Sequence, residues 1–486
     1  MAGARLGAEA RMSEWLSWVV VVLAFAAAIT RPSLGLATLP YPKELRPQVE
    51  FWKKIFTQYS RHQVVIHDVW ALERIYAVLD FSADAAELAA SDVLPAYVEI
   101  RVNQEKERIR ALLVRLHQNG GEAQPWSEEE RRIAALFQRD RDPDKFLRAA
   151  DPNQIRAQRG LREKFAEGLR VSGRYLPAME AIFRAEGLPI ELTRLPLVES
   201  CFDVRAYSKA GAAGIWQFMP STGRMFLRID DVVDERRDPI AATKAAAAFL
   251  RRNYEKLGTW PLAVTAYNHG PAGMQRAVEA VGTTDLVEII RRYKGPGFGF
   301  ASRNFYAELL AAVEIEREPT RYFGSLERLR PVPTESVVLT HAAPLPALAS
   351  LVGLAPGELA DLNPALMPQV VQGRVPVPKG FPLRLPREKR AGFETRYAAW
   401  VNRKREGTQV ARATAARQRP QSSGVASRKP TQASGKRTRT HRVREGQTLA
   451  MIARMYGRSV SAIEKKNGLR RGARLRAGQI LLIPEG

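Results

Sequence analysis

The sequence LPLVESCFDVRAYSKAGAAGIWQFMPSTG, residues 195–223, decides how the rest of the chain is interpreted. Its first part surrounds one carboxylic acid, Glu199, with apolar neighbours such as Leu197 and Phe202. Burial among apolar groups raises the pKa of a carboxyl group because it disfavours the charged form, and a raised pKa suits a proton donor at neutral pH. Pro196 disfavours a long helix through this point, so we expect Glu199 near a helix start or kink. Taken alone, such a glutamate is more often part of a buried ion pair or a helix cap.

The second part of this stretch combines small residues with an aromatic ring and an amide. Residues 211–214 (GAAG) leave the backbone nearly bare, which permits either the approach of a bulky ligand or close helix packing. Trp216, Gln217 and Met219 then offer an aromatic face, an amide and an adaptable apolar contact. This combination suits a sugar, and it suits the edge of a hydrophobic core equally well.

A second group of polar side chains lies in the run TAYNHGP, residues 265–271. The hydroxyl of Tyr267 is a candidate to orient Glu199, and Asn268 supplies a further amide. The alternative is an ordinary helix C-terminus closed by Gly270 and Pro271, and the spacing alone favours that alternative.

Composition excludes several classes of function. The formal net charge of +24 and the pI near 10.4 favour anionic partners without choosing among them. A single cysteine, Cys201, excludes an internal disulfide and a CxxC zinc site, and the six histidines form no HExxH pattern. We therefore expect no metal and no other cofactor, and we interpret Cys201 as a small packing residue.

The N-terminus indicates export from the cytoplasm. Arg5 and Arg11 precede an apolar run from Trp15 to Ile29, and small residues up to Ala37 suit cleavage there, which predicts a signal peptide over residues 1–37. An uncleaved N-terminal anchor, and with it membrane association, remains the alternative. Either interpretation places the mature chain in the periplasm or cell envelope and makes nucleic acid a poor partner.

Changes in composition divide the rest of the chain into five predicted segments. Residues 40–153 read as a helical N-terminal region, in which the apolar pattern Val65, Val69, Leu72, Ile75 and Leu79 predicts a helix. Residues 154–325 read as a compact all-α domain, with helices at 161–169, 175–186, 241–257 and 260–268. The segment 331–390 shifts to short strands and helices, 402–439 is a basic linker expected to be disordered, and 440–486 reads as a small βααβ unit.

Three short motifs give the chain a family resemblance. Glu199-Ser200, residues 214–220 (GIWQFMP) and residues 266–271 (AYNHGP) resemble, in order and separation, the signature motifs of the lytic transglycosylase (SLT) domain. The sequence around Glu199 most resembles the membrane-bound D type of murein transglycosylase. The resemblance implies a mainly α fold with a lysozyme-like catalytic domain. Val204 and His269 depart from the residues common in the family, but neither replaces a group with an assigned chemical role.

The C-terminal segment resembles a LysM domain, a small α+β module that binds glycans containing N-acetylglucosamine. Residues 445–449 (EGQTL) and Asn467-Gly468 are among the features that match, and the expected glycan-binding residues are Gly446, Thr448, Leu449 and Asn467. The segment 331–390 has a similar layout but lacks the Gly-Gln-Thr turn, so it resembles a degenerate LysM-like unit, for which glycan binding and a packing role both stay open.

The resemblance also implies a mechanism that needs one carboxyl group. Glu199 would protonate the oxygen between N-acetylmuramic acid and N-acetylglucosamine, and then take the proton from the muramic acid 6-hydroxyl as that hydroxyl attacks the anomeric carbon. Ser200, Gln217, Met219, Tyr267 and Asn268 are the expected substrate-binding residues around it. Two alternatives stay open at this point. A lysozyme-like hydrolase would need Asp203 or another group to activate water, and a wall-binding scaffold would need no catalytic group.

Overall fold

A computed structural model of the chain describes residues 39–87, 94–119, 126–417, 439–443, 447–470, 473, 475–476 and 478–484. These residues fall into two compact units, of which the first ends at Gly407 and the second begins at Thr408. The predicted signal peptide lies outside the described residues. Within the described ranges no single helix is long and apolar enough to cross a membrane, although one pair of helices bent by 95° passes on length and composition.

The N-terminal region contains helices and a three-stranded antiparallel sheet. Its elements are α1 (Arg46–Thr57), β1 (Gln63–Asp68), β2 (Ile75–Asp80), α2 (Ser82–Glu87), α3 (Leu94–Gln118), α4 (Glu128–Ala135), α5 (Lys145–Ala149) and β3 (Ile155–Arg159). The sheet has the order β2-β1-β3 and packs against α3, α4 and α5 in a hydrophobic core of its own.

The prediction of one helix through Val65 and Leu79 is wrong. Val65 lies on β1 and Leu79 on β2, with a turn between them, so the helical spacing of the apolar residues arises by chance across a hairpin. The β-branched run Val64-Val65-Ile66 favours a strand, and β1 is buried along nearly its whole length because it is the central strand.

The helices after residue 160 build the largest core. They are α6 (Arg162–Ser172), α7 (Leu176–Ala185), α8 (Leu195–Glu199), α9 (Pro220–Gly223), α10 (Pro239–Leu257), α11 (Trp260–His269), α12 (Pro271–Val281), α13 (Leu286–Arg292), α14 (Phe300–Arg317) and α15 (Pro319–Phe323). The predictions for α6, α7, α10 and α11 are confirmed to within three residues at each end. Asp238 begins α10 by accepting hydrogen bonds from the backbone N–H groups of Ile240 and Ala241, with Pro239 in the first turn.

Helix α14 lies at the centre of this core and positions the site. It packs against α8, α11 and α1, so the first helix of the N-terminal region belongs to the same hydrophobic core as the helices after residue 160. Trp52 of α1 donates a hydrogen bond to Asn304 of α14 at 3.4 Å within this contact. The N-terminal region is therefore packed against the helices that carry the predicted catalytic residues.

Two small βααβ modules follow, the first before residue 407 and the second after it. The first consists of β4 (Thr334–Val338), α16 (Leu345–Val352), α17 (Pro356–Leu362), the short α18 (Pro368–Val371) and β5 (Pro382–Pro386); α19 (Arg390–Arg417) comes next; the second unit consists of β6 (Arg439–Arg442), α20 (Leu449–Met455), α21 (Val460–Lys466) and β7 (Ile480–Ile483). In each, the two strands pair antiparallel.

One asparagine closes each of these units in the same way. Asn467 donates to the carbonyl oxygens of Ile463 and Leu482 and accepts from the Leu482 N–H at 2.7 Å. Asn363 donates to the carbonyl oxygens of Leu359 and Arg384 and accepts from the Arg384 N–H at 2.8 Å. In both units the amide therefore joins the end of the second helix to the last strand.

The basic linker predicted over 402–439 is not disordered at its start. Helix α19 continues to Arg417 because Phe393, Tyr397 and Val401, at four-residue spacing, pack on the first βααβ core and fix its first turns. Adding residues to an existing helix costs far less than starting one, so the polar sequence beyond Val401 continues it. The remainder of the predicted linker, 418–438, lies outside the described residues.

Candidate active site

A strained turn places Glu199 at the end of a very short helix. Helix α8 begins with Pro196 in its first turn and ends at Glu199. The next residues, Cys201 and Phe202, both adopt left-handed backbone angles (φ of 54° and 56°), which side chains other than glycine rarely adopt. The turn is held because the Phe202 N–H donates to the Pro196 carbonyl at 3.0 Å, and because the Cys201 and Phe202 side chains are buried.

The environment of Glu199 favours its protonated form. The residue keeps an intermediate exposure, and its neighbours Leu197 and Phe202 belong to the main hydrophobic core. Burial is the main cause that raises its pKa to about 8, and the negative charge of Glu308 is the second. At neutral pH such a group carries a proton that it can donate.

Glu308 is the residue that sequence reasoning missed. It lies on α14, half-buried, and burial raises its own pKa to about 8, while the positive charge of Arg156 on β3 acts in the opposite direction. The signal in the sequence was a lone carboxylate in the apolar run 305–312 (FYAELLAA). Only the packing of α14 against α8 shows that Glu308 acts on Glu199.

The glycine-rich loop after α8 is fixed by a buried arginine. Arg236 pairs with Asp234 at 2.7 Å and donates to the carbonyl oxygens of Gly211 and Phe218, at 2.7 and 2.9 Å. Gly214 adopts φ of 74°, and a Cβ atom at this position would lie 1.9 Å from the Arg236 carbonyl oxygen. The loop therefore needs glycine at position 214 for a close approach between two backbone segments.

Trp216 does not offer an aromatic face to a ligand. Its side chain is fully buried, stacks on Phe183 with ring centres 6.0 Å apart, and donates to the Thr243 hydroxyl at 2.9 Å. Of the two interpretations that the sequence left open, the edge of a hydrophobic core is therefore the one that holds for Trp216. The following residues do reach the surface: Gln217 is half-buried at φ of 48°, and Met219 is 41% exposed. The Gln217 side-chain nitrogen donates to the Gly214 carbonyl at 2.8 Å, which fixes the direction of its amide.

Helix α11 brings Tyr267 and Asn268 to the same side of the core. The Tyr267 hydroxyl donates to the Trp216 carbonyl at 2.9 Å, so Tyr267 holds the glycine-rich loop against α11. No hydrogen bond joins Tyr267 to Glu199 within the described ranges. The pKa of Tyr267 is raised well above its usual value, mainly by burial and secondly by the negative charge of Glu199. Asn268 is exposed, and its amide oxygen accepts from the Ser302 hydroxyl at 2.9 Å.

Ser200 and Asp203 have structural contacts that account for them. The buried Ser200 hydroxyl donates to the Ile215 carbonyl at 3.0 Å and ties α8 to the loop. Its contact with substrate stays a prediction. Asp203 is exposed, and its carboxylate accepts from the Arg205 N–H at 2.9 Å in a turn.

The predicted glycan-binding residues of the C-terminal unit shape its fold. Thr448 caps α20 by accepting from the Met451 N–H at 3.3 Å, Leu449 is buried in the core, and the Asn467 amide closes the unit. Gly446 lies outside the described residues. In the part of the chain that is described, no three His, Cys, Asp or Glu side chains come together as a metal site would require.

Comparison with known proteins identifies the class of the two domains. The family model of the transglycosylase SLT domain matches residues 178–290, and that of the LysM domain matches residues 441–484. The chain therefore carries an SLT domain, which contains Glu199, Gln217, Tyr267 and Asn268, followed by a LysM domain.

Similarity to individual proteins extends beyond the SLT domain. The membrane-bound lytic murein transglycosylase D of Escherichia coli K12 is 29% identical over 317 residues, which is 62% of this chain and 62% of that protein; the same protein of E. coli O6:H1 matches equally. The match thus spans under two thirds of those relatives. Among solved structures, the 70 kDa soluble lytic transglycosylase of E. coli is 20% identical, with a TM-score of 0.26 and coverage of 32% of this chain and 27% of that one.

Proposed function

We propose that the protein is a peptidoglycan lytic transglycosylase of the cell envelope, with Glu199 as its single catalytic acid and base. The observation that carries this proposal is a deeply placed carboxyl with a pKa raised to about 8, within an SLT domain. The substrate is the glycosidic bond between N-acetylmuramic acid and N-acetylglucosamine, and the product carries a 1,6-anhydro ring. The names of the E. coli relatives support this assignment.

The raised pKa supplies the first half of the reaction. Glu199 is protonated at pH 7 and donates its proton to the glycosidic oxygen as the bond to the anomeric carbon breaks. It is then a carboxylate in a poorly solvated place beside Glu308, where a negative charge is unfavourable. This environment makes it a strong base toward the 6-hydroxyl of the muramic acid. That hydroxyl loses its proton to Glu199 while its oxygen bonds to the anomeric carbon, and Glu199 is restored.

The nucleophile is part of the substrate, so no second carboxylate is required. In a hydrolase a second group would have to activate water. Asp203 is already engaged in its turn with Arg205, which makes it a poor candidate for that role. Gln217, Met219 and Asn268 are the exposed or half-exposed groups that would contact the sugar, while Tyr267 acts through the loop that it holds.

The remaining segments fit export and retention at the wall. We propose that residues 1–37 direct the chain out of the cytoplasm and that the LysM domain holds peptidoglycan. Attachment at a second site raises the local concentration of glycan strands for the catalytic domain. Peptidoglycan is the proposed partner, and no cofactor is needed for the mechanism.

The decisive experiment compares soluble products released from purified sacculi by the wild type, Glu199→Gln and Asp203→Asn, using mass spectrometry. We expect anhydromuropeptides from the wild type and from Asp203→Asn, and a loss of roughly 10³-fold or more in Glu199→Gln. Reducing muropeptides would show a hydrolase instead. Equal products from the wild type and Glu199→Gln would remove Glu199 from the chemistry, and no products from any of them would favour a binding scaffold.

A further inference from the structure

A tryptophan in the turn between β1 and β2 lies against two positive charges, one before α14 and one in its first turn. The Arg303 guanidinium lies 3.6 Å from the centre of the Trp70 ring, and the Lys294 ammonium lies 4.2 Å from it. We call these three residues the Trp70 cluster. Trp70 remains 40% exposed and Lys294 is exposed, so the cluster is open to a ligand.

The turn that presents Trp70 is fixed in advance. The buried Asp68 carboxylate accepts from the N–H groups of Trp70 and Ala71 at 2.7 and 2.9 Å, and from the Tyr76 hydroxyl at 3.0 Å. All three bonds lie within the β1–β2 hairpin. The ring is thus held in place by a rigid turn, and a ligand that contacts it does not have to order a loop first.

The two cations of the cluster lack a neutralising partner. Both lie within 4.2 Å of one ring centre, so their charges are less than about 8 Å apart and repel each other. Neither forms an ion pair with a carboxylate in the described part of the chain. The Arg303 side-chain nitrogen Nε is buried without a hydrogen-bond partner there, and burial lowers the pKa of Arg303. An anion bound beside the two cations would offset the repulsion between their charges.

Two separate routes connect the cluster to the candidate active site. Arg303 follows Ser302, whose hydroxyl is bonded to the Asn268 amide. Lys294 belongs to the segment 293–298, whose Phe298 packs edge-on against His269 with ring centres 5.1 Å apart. Each cation therefore lies in a segment that contacts the end of α11, Arg303 through Ser302 and Lys294 through Phe298.

From this arrangement we infer that the Trp70 cluster is an additional subsite that binds a carboxylate carried by the glycan strand, with the exposed part of the Trp70 side chain beside the ligand. The inference rests on the proposed function, since it takes the glycan to bind beside Asn268. The carboxylate has two sources in peptidoglycan: the peptide stem, or the lactyl group of muramic acid where the stem is absent. The N-terminal sheet thereby becomes part of substrate recognition.

The test measures binding locally in the full-length chain, so that the LysM domain does not obscure it. Hydrogen exchange of peptides covering residues 69–74 is followed in Glu199→Gln, which does not consume the ligand. Three ligands are titrated: glycan oligomers with stems, the same oligomers after an amidase has removed the stems, and neutral chito-oligosaccharide. The variants are Lys294→Gln and the double change Lys294→Gln/Arg303→Gln.

The expected result is a selective loss. The double change raises the half-saturating concentration of a carboxylate-bearing ligand roughly tenfold or more, and that of chito-oligosaccharide by less than about twofold. Loss with the stem-bearing oligomers alone identifies the stem carboxylate, and loss with the amidase-treated ones alone identifies the lactyl carboxylate. Lys294→Gln, at an exposed position, shows part of the effect without risk to folding.

A control of equal charge loss is Lys256→Gln/Arg321→Gln, which removes two exposed cations outside the cluster. Equal losses in the control, equal losses with the neutral ligand, or no protection of residues 69–74 by any ligand would each overturn the subsite. Failure of the proposed function would appear separately, as the absence of anhydromuropeptides from the wild type on sacculi, because the exchange measurement requires no turnover.

Discussion

Gly214→Ala tests whether the close approach of two backbone segments builds the active-site loop. The new Cβ would lie 1.9 Å from the Arg236 carbonyl oxygen, where about 3.0 Å is the least that real structures show, so one segment must move by about 1 Å. The left-handed backbone at φ of 74° adds roughly 1–2 kcal/mol for any residue with a Cβ.

The shift also weakens the bonds that Arg236 makes to the loop. Its side chain donates to the carbonyl oxygens of Gly211 and Phe218, and each hydrogen bond contributes about 1 kcal/mol. We therefore expect Gly214→Ala to lower the free energy of unfolding by roughly 3–4 kcal/mol. Activity should also fall under conditions in which the variant is still folded, because Gln217 and Met219 are displaced with the loop.

Gly187→Ala is the matched control. Gly187 is also left-handed, with φ of 66°, but a Cβ there would meet nothing within 4 Å, so only the backbone cost of roughly 1–2 kcal/mol remains. Urea denaturation followed by near-ultraviolet circular dichroism, together with product release from sacculi, measures both effects. If Gly214→Ala is no more destabilising than Gly187→Ala, or leaves activity intact, the packing argument is refuted.

Three further results are expected. The activity of the wild type should fall as pH rises through about 8, because Glu199 must be protonated to act as the acid. Glu308→Gln should move this fall to lower pH, because it removes the second cause of the raised pKa of Glu199. An unchanged pH–rate profile would exclude Glu308 as a partner of Glu199. Replacing Glu199 by Gln should also stabilise the fold, more at pH 9 than at pH 5. The sign follows because a carboxyl whose folded pKa is raised from 4.5 to about 8 disfavours folding increasingly as pH rises through that window; a gain independent of pH would contradict it. Asn467→Ala should destabilise the C-terminal unit by roughly 2–3 kcal/mol, since it removes three side-chain hydrogen bonds, whereas Asn467→Asp, which still accepts from the Leu482 N–H, should cost less. Thermal unfolding monitored by NMR signals of Ile463 measures the difference between the two variants.

The helices and chemical groups that follow local rules could be predicted from the sequence. Helix α10 begins where Asp238 and Pro239 predict, because capping depends on neighbouring residues only. Glu199 was recognisable because its apolar neighbours are adjacent in the chain. The hairpin of β1 and β2 was not predicted, since its identity depends on pairing with β3, about ninety residues further along the chain.

Site residues were harder to assign than site motifs. The sequence left open whether Trp216 faces a ligand or the core, and contacts with Phe183 and Thr243, neither of them near it in sequence, bury it. Tyr267 was a candidate to orient Glu199, and its hydroxyl donates to the Trp216 carbonyl, a partner that the sequence did not indicate. A motif states which side chains are present, whereas the direction of each one depends on the surfaces packed around it.

The sequence by itself determined the mainly helical architecture, the position of the SLT and LysM domains, and the identity of the candidate acid, because periodicity, capping and short motifs are local properties of the chain. Only the tertiary structure decided what surrounds that acid. It brought Glu308 of α14 toward Glu199 and placed Trp70 of the N-terminal sheet against Lys294 and Arg303. Both contacts join residues that are more than a hundred positions apart in the sequence. They form because α14 packs against α8, α11 and α1 at the same time. No local pattern encodes such contacts, since they depend on the burial of one helix by several distant ones.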